Sequence, residues 1–186
     1  MVRVLPDGSA DVVWTNEGDV FVAGPDTRPV VRSLPGGSLM RGLRFRPGAA
    51  GAALGLPAAE LRDLRVPLGE VLKGGLPVLL RRLREVEQPS PLVLEAVRRL
   101  GRPGSRVGSL SHALYLSERQ LRRVFQESVG YGPKTLDRVL RFQRFLSLRR
   151  RGWELAAAAA AVGYADQAHV TRESARLAGV SPSRLA

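Results

Sequence analysis

Two stretches of this 186-residue chain share one layout that leaves few folds open to it. In "VGSLSHALYLSERQLRRVFQ" and again in "LAAAAAAVGYADQAHVTRESARLAG", a short apolar helix is followed by a three-residue turn. A second helix then begins, with an apolar spine and polar outer positions. Apolar residues at helical spacing need a partner surface. A turn that short makes the two helices of each pair one another's neighbour, the pattern of a helix-turn-helix unit. The repeats predict two such units, at about residues 106–128 and 153–178.

The second helix of each pair has a legible start. Ser117 is placed to cap the first and Asp166 the second, because a short side-chain oxygen at that position accepts from the unpaired N–H groups of the first turn. In the first unit Leu121, Val124 and Phe125 turn inward and leave Arg119, Gln120, Arg122 and Arg123 outside. In the second unit Val170 and Leu177 turn inward while Gln167, His169 and Arg172 project outward. A helix entering a DNA major groove needs long side chains with donors of this kind: arginine matches O6 and N7 of guanine, and glutamine matches adenine. A solvated basic face is the bland alternative for any one of these helices, and repetition of the unit argues against it. His169 is one of two histidines in a chain without cysteine, so no metal site is expected there.

Between the units "GPKTLDRVLRFQRFLSLRR" reads as one helix from Pro133 to Arg150, ended by Gly152. At 1.5 Å per residue it spans about 27 Å, and adding helix widths sets the two outer helices about 34 Å apart, one turn of DNA. Lys134 and Thr135, beside exposed backbone N–H groups, are candidate phosphate contacts, as is Gln120. Arg149, Arg150 and Arg151 complement the dipole at the other end.

Charge points to the same half. The net charge is +12, and residues 90–186 hold 17 Lys+Arg against 7 Asp+Glu, while residues 1–89 hold 12 against 10. That asymmetry suggests a polyanionic partner, DNA or RNA ahead of a membrane surface. No window approaches the roughly 18 apolar residues that span a bilayer, and the first residues lack a signal-peptide pattern, so a cytoplasmic location is expected.

The first 75 residues differ in kind. Gly and Pro punctuate short β-prone runs, "ADVVW", "DVFVAG", "SLMRGLRF" and "DLRVPL". Asn16 to Asp19 forms a hairpin turn in which Gly18 supplies positive φ. "PGAAGAALGLPAAELRD" adds one or two short helices. Four or five strands are too few for a closed eight-stranded jelly roll, so this half is read as a small, incomplete cupin-like antiparallel sheet with open edges. Leu76, Leu79, Leu80, Leu83 and Val86 then line one face of a helix over residues 76–87, which either packs on the sheet or dimerises. "QPS" marks a linker, and Ser90-Pro91 starts a helix running to about Leu100. The expected organisation is α+β: a sensor or dimerisation region at 1–75, an amphipathic helix and linker at 76–89, and an all-α reading domain at 90–186.

An enzyme is not expected. Residues 1–111 contain no histidine for a metal cupin, and neither a Gly-x-Ser-x-Gly elbow nor a phosphate-binding glycine loop occurs. A carboxylate site from Asp7, Asp11 or Asp26 is the remote alternative, although turns are the usual place for such residues. No catalytic residue, metal or cofactor is assigned.

"LSERQLRRVF…VGYGPKTLDRVLRFQRFL" followed by "GYADQAHVTRESARLAGVSPSRL" resembles the DNA-binding domain of AraC/XylS-type transcriptional regulators over about residues 90–186. "VAGPDT" and "GLRFRPGAAGAALGLPAAELRD" are similar to a sensor region in a subset of that family. The resemblance implies a sequence-specific regulator that inserts two recognition helices into successive major grooves of promoter DNA. It implies base contacts at Arg119, Arg122, Arg123, Gln167, His169 and Arg172, homodimerisation through the N-terminal region and a small-molecule effector. The rival reading is a shortened, non-functional paralogue that acts only as a dimerisation partner, since the sensor-like region begins partway through its usual strands. Two positions depart from the family pattern. Tyr115 stands where a turn glycine is usual, at a cost on the order of 1 to 3 kcal/mol if it holds positive φ. Ser174 stands where a core phenylalanine is usual, which predicts loose packing of the second unit.

Overall fold

Alternation decides the main sheet. In β2 (Ala10–Thr15) Ala10 and Val12 are buried while Asp11 and Val13 turn to the other, half-open face. This computed structural model describes residues 1–85, 90–105 and 107–185. β2 pairs antiparallel with β3 (Val20–Ala23) across the expected hairpin, where Gly18 has φ 93°. On its other side β2 pairs with β5 (Met40–Phe45), and β3 pairs with β6 (Arg65–Pro67), giving the order β5-β2-β3-β6. A second, two-stranded sheet joins β1 (Val2–Val4) to β4 (Val30–Arg32). Neither of those strands was expected from the sequence. Both are three residues long and mostly exposed, so no buried face imprinted a pattern on them.

The buried face of the larger sheet is closed by short helices. α1 (Ala50–Leu54), α2 (Leu68–Val71) and α3 (Gly75–Glu85) bring Leu54, Leu68 and Leu79 onto Val12, Val22 and Phe45. Each such side chain contributes roughly 1.5 to 3 kcal/mol when fully buried. The amphipathic stripe of α3 therefore packs on its own sheet: Leu79 is fully buried and Leu76 and Leu83 border the same cluster, whereas Leu80 stays 45% exposed. Val86, the linker through Gln88 and Pro89, and Arg106 at the start of the first expected unit lie outside the described residues.

The helical part comprises α4 (Pro91–Leu100), α5 (Leu110–Ala113), α6 (Glu118–Val129), α7 (Pro133–Arg150), α8 (Leu155–Ala161) and α9 (Gln167–Ala178). The bounds of α4 and α7 are those the proline starts predicted. α7 serves two cores. Leu136 and Leu140 join α4, α5 and α6 around Phe125, while Val139, Phe142, Phe145 and Leu146 join α8 and α9 around Val170 and Leu177. An antiparallel sheet region followed by a helical region makes this an α+β chain.

The two parts touch closely. Gly130, the left-handed cap of α6 at φ 93°, lies where a Cβ would come within 2.5 Å of Pro25 and 3.0 Å of the Ala58 carbonyl, so only glycine allows that approach. Gln143 of α7 donates to the Pro6 carbonyl at 2.6 Å, and the Arg3 guanidinium donates to the carbonyl of Ala178 at the end of α9.

Candidate nucleic-acid interface

In the first unit α5 ends in a turn through Tyr115, which holds φ 54° with its ring 96% exposed. The turn has kept the geometry a glycine would adopt, so the tyrosine bears the strain itself. Two residues on, Ser117 caps α6. Its hydroxyl oxygen accepts from the Gln120 N–H at 3.2 Å, and its own N–H donates to Gln120 Oε1 at 2.9 Å. This is a reciprocal capping box. It commits the Gln120 carboxamide oxygen to the helix start and leaves its N–H₂ group as the atom that could donate to a phosphate. Leu121 and Phe125 are buried and Val124 half-buried, as the spacing predicted.

Arg119, Arg122 and Arg123 are exposed and, with Gln120 and Gln126, line a shallow concavity of about 310 Å³. Arg123 differs from the other two: its guanidinium lies 3.8 Å from Glu127, an exposed pair that contributes little to stability but partly neutralises its charge.

In the second unit α8 ends at Gly163-Tyr164, and Asp166 caps α9 by accepting from the His169 N–H at 2.6 Å. Val170 and Leu177 are buried; Gln167 and Arg172 are exposed. His169 is half-buried, and its ring meets Tyr164 edge-on, with centroids 5.0 Å apart at 81°. Tyr164 in turn stands edge-on to Phe145 at 6.0 Å. The three rings thus form a contiguous aromatic stack.

Ser174 is fully buried and its hydroxyl has no hydrogen-bond partner among the described residues. A polar atom thus sits in the core position, unsatisfied. The residue that fastens α9 was missed from the sequence: Glu173, nearly buried, accepts two hydrogen bonds from Arg138 of α7, one of them at 3.0 Å. Burial pushes the Glu173 carboxyl up, but the Arg138 hydrogen bonds and charge outweigh it and hold the group below its usual range. Only the packing of α7 against α9 brings these two together, so no local signal could have found them.

Lys134 is exposed and Thr135 half-buried at the start of α7, which has no side-chain cap. Both line a groove of about 870 Å³ with Arg119 and Arg122 of α6, Arg176 of α9 and Arg62 of the N-terminal part. Among the described residues none of those five cations forms an ion pair, and neither does Arg172. Six arginines outside the groove are paired: Arg44, Arg65, Arg98, Arg99, Arg138 and Arg141 all lie within 3 Å of a carboxylate oxygen. The groove thus gathers those five cations beside α6 and the start of α7, where they favour a polyanion.

Two capped helices, each behind a short helix and a tight turn, define a double helix-turn-helix protein. Residues 110–186 match the model of a helix-turn-helix domain family, and residues 1–67 match that of a domain of unknown function, DUF6597. An AraC-type helix-turn-helix match behind a DUF6597 match is consistent with an AraC-family regulator. The helix-turn-helix domain marks it as a DNA-binding regulator. No curated protein and no solved structure matches the chain. Among the described residues no helix is long and apolar enough to cross a membrane.

Proposed function

We propose that this regulator recognises a specific promoter sequence by placing α6 and α9 in successive major grooves of one face of the duplex. The observation that carries the reading is the shared use of α7. One 18-residue helix buries separate faces in the two cores, so the two capped helices are held by a single rigid spacer. That spacer is about 27 Å long, and with the helix widths at its ends it suits one turn of DNA, about 34 Å.

In this reading Arg119, Arg122 and Arg123 of α6 and Gln167 and Arg172 of α9 meet base edges. His169 is the weakest of the set, since its ring is engaged with Tyr164. Lys134 and Thr135 meet phosphate, and Gln120 serves through its cap and its amide N–H₂ group. Residues 90–186 act as the reading domain, in the cytoplasm, and residues 1–75 as the sensor or dimerisation region, with an effector of unassigned chemistry. Arg123 keeps a place because an exposed pair at 3.8 Å is readily exchanged for phosphate or guanine.

The test is binding of the purified chain to its own upstream DNA against scrambled competitor over a salt series. Preference for the upstream fragment by a factor of roughly 10³ or more is expected. Equal affinity for both at every salt concentration would reduce the protein to a non-specific binder.

A further inference from the structure

The groove beside α6 has a wall that no helix-turn-helix unit supplies. Arg62 comes from the N-terminal part, just after the 3₁₀ turn Ala58–Leu61 that packs against α6, and it lines the same groove as Arg119, Arg122, Lys134 and Arg176. Its guanidinium is exposed and makes no ion pair among the described residues.

Its backbone is held with unusual care. The next residue, Asp63, sits at φ 60°, a conformation that L-residues adopt at a cost, and four hydrogen bonds or ion pairs fix the strap around it. The Asp63 carboxylate accepts from the Thr27 N–H at 2.7 Å and from the Thr27 hydroxyl at 2.7 Å, and the Asp63 N–H donates to the Pro25 carbonyl at 3.3 Å. Below it Arg65 pairs with buried Asp26 at 2.6 Å. Pro25 also touches Gly130 at the end of α6, so the strap that carries Arg62 is fixed to the reading helix itself.

A helix lying in a major groove is flanked by phosphates of both strands, and cations presented beside it are placed to reach them. From this convergence we propose that Arg62 contacts a DNA phosphate beside the first reading helix, making the N-terminal part a direct participant in DNA binding. The proposal rests on the DNA-binding reading above. It gives the strained strap a purpose, since a rigidly presented guanidinium loses less freedom on contact.

The experiment measures affinity of the full chain for a mixed-sequence DNA duplex over a salt series, because phosphate contacts do not depend on sequence. Arg62→Ala is compared with Arg62→Lys and with Arg81→Ala, which removes the same charge from exposed α3 outside the groove. Lys134→Ala is carried alongside. Arg62→Ala is expected to bind roughly threefold to tenfold more weakly at 0.1 M salt and to lower the salt slope by about 0.9, with Arg62→Lys keeping the slope. Arg81→Ala should change the slope far less. If Arg62→Ala behaves like Arg81→Ala while Lys134→Ala loses slope, the N-terminal contact is wrong and the DNA-binding reading stands. An unmutated chain without salt-dependent binding overturns both. Because Arg62 is exposed, an unchanged thermal midpoint for Arg62→Ala excludes unfolding as the cause of a loss.

Discussion

Arg138 on α7 and Glu173 on α9 face each other as a two-point ion pair, with the Glu173 side chain only 9% exposed. The pair ties the second reading helix to the spacer at one place. Removing one partner leaves a half-buried charge without its counterpart. Glu173→Gln should therefore destabilise the helical part by about 3 kcal/mol, measured by urea unfolding, while the double change Arg138→Met with Glu173→Leu recovers most of the loss. The same pair sets an acid response. Because the folded Glu173 carboxyl titrates below its usual 4.5, its contribution is fully present above that value and is lost as pH falls through the lower, folded one. Stability measured from pH 6 downward should fall less steeply in the double variant, and equal slopes would show that the pair plays no part.

Tyr115 offers a gain. Its φ of 54° is costly for any side chain, and its ring is 96% exposed, so nothing is lost with it. Tyr115→Gly is expected to raise stability by about 1 to 2 kcal/mol, visible as a higher thermal midpoint. A lower midpoint would mean that glycine's freedom in the unfolded chain outweighs the relief.

Ser174 offers a second gain, for a different reason. Its buried hydroxyl lacks a partner among the described residues and its place is inside a helix, where alanine is the better former. Ser174→Ala should stabilise by about 1 kcal/mol in equilibrium unfolding. Loss of stability would reveal a hydrogen bond made by that hydroxyl.

Arg122 and Lys134 separate sequence reading from simple attraction. Arg122→Ala should relax preference at one or two base positions, at a cost of about 1 to 3 kcal/mol, whereas Lys134→Ala should weaken all sequences alike and lower the salt slope by about 1. Selection of bound sequences from a random library checks both, and the reverse pattern would exchange their roles.

The parts legible beforehand were those written within a few residues. Ser117 and Asp166 were identifiable as caps because a cap bonds an N–H three residues away. Pro133 and Gly152 bracketed α7, and Gly18 marked the hairpin, for the same local reason. The site was legible only on its helical side. Arg119 and Arg122 could be seen as outward on α6, but the contact of His169 with Tyr164, which belongs to the turn before α9, could not.

Periodicity and turn chemistry in the sequence alone thus determined which segments become helices, where they start, and that two of them present polar faces in the basic half. Tertiary structure alone decided that Glu173 meets Arg138, that Gly130 admits Pro25, and that Arg62 enters the same groove as Lys134. The physical reason is range. Hydrogen bonds of caps and helices close over three or four residues, whereas partners 35 to 105 residues apart become neighbours only through which apolar faces bury one another, information spread over the whole chain.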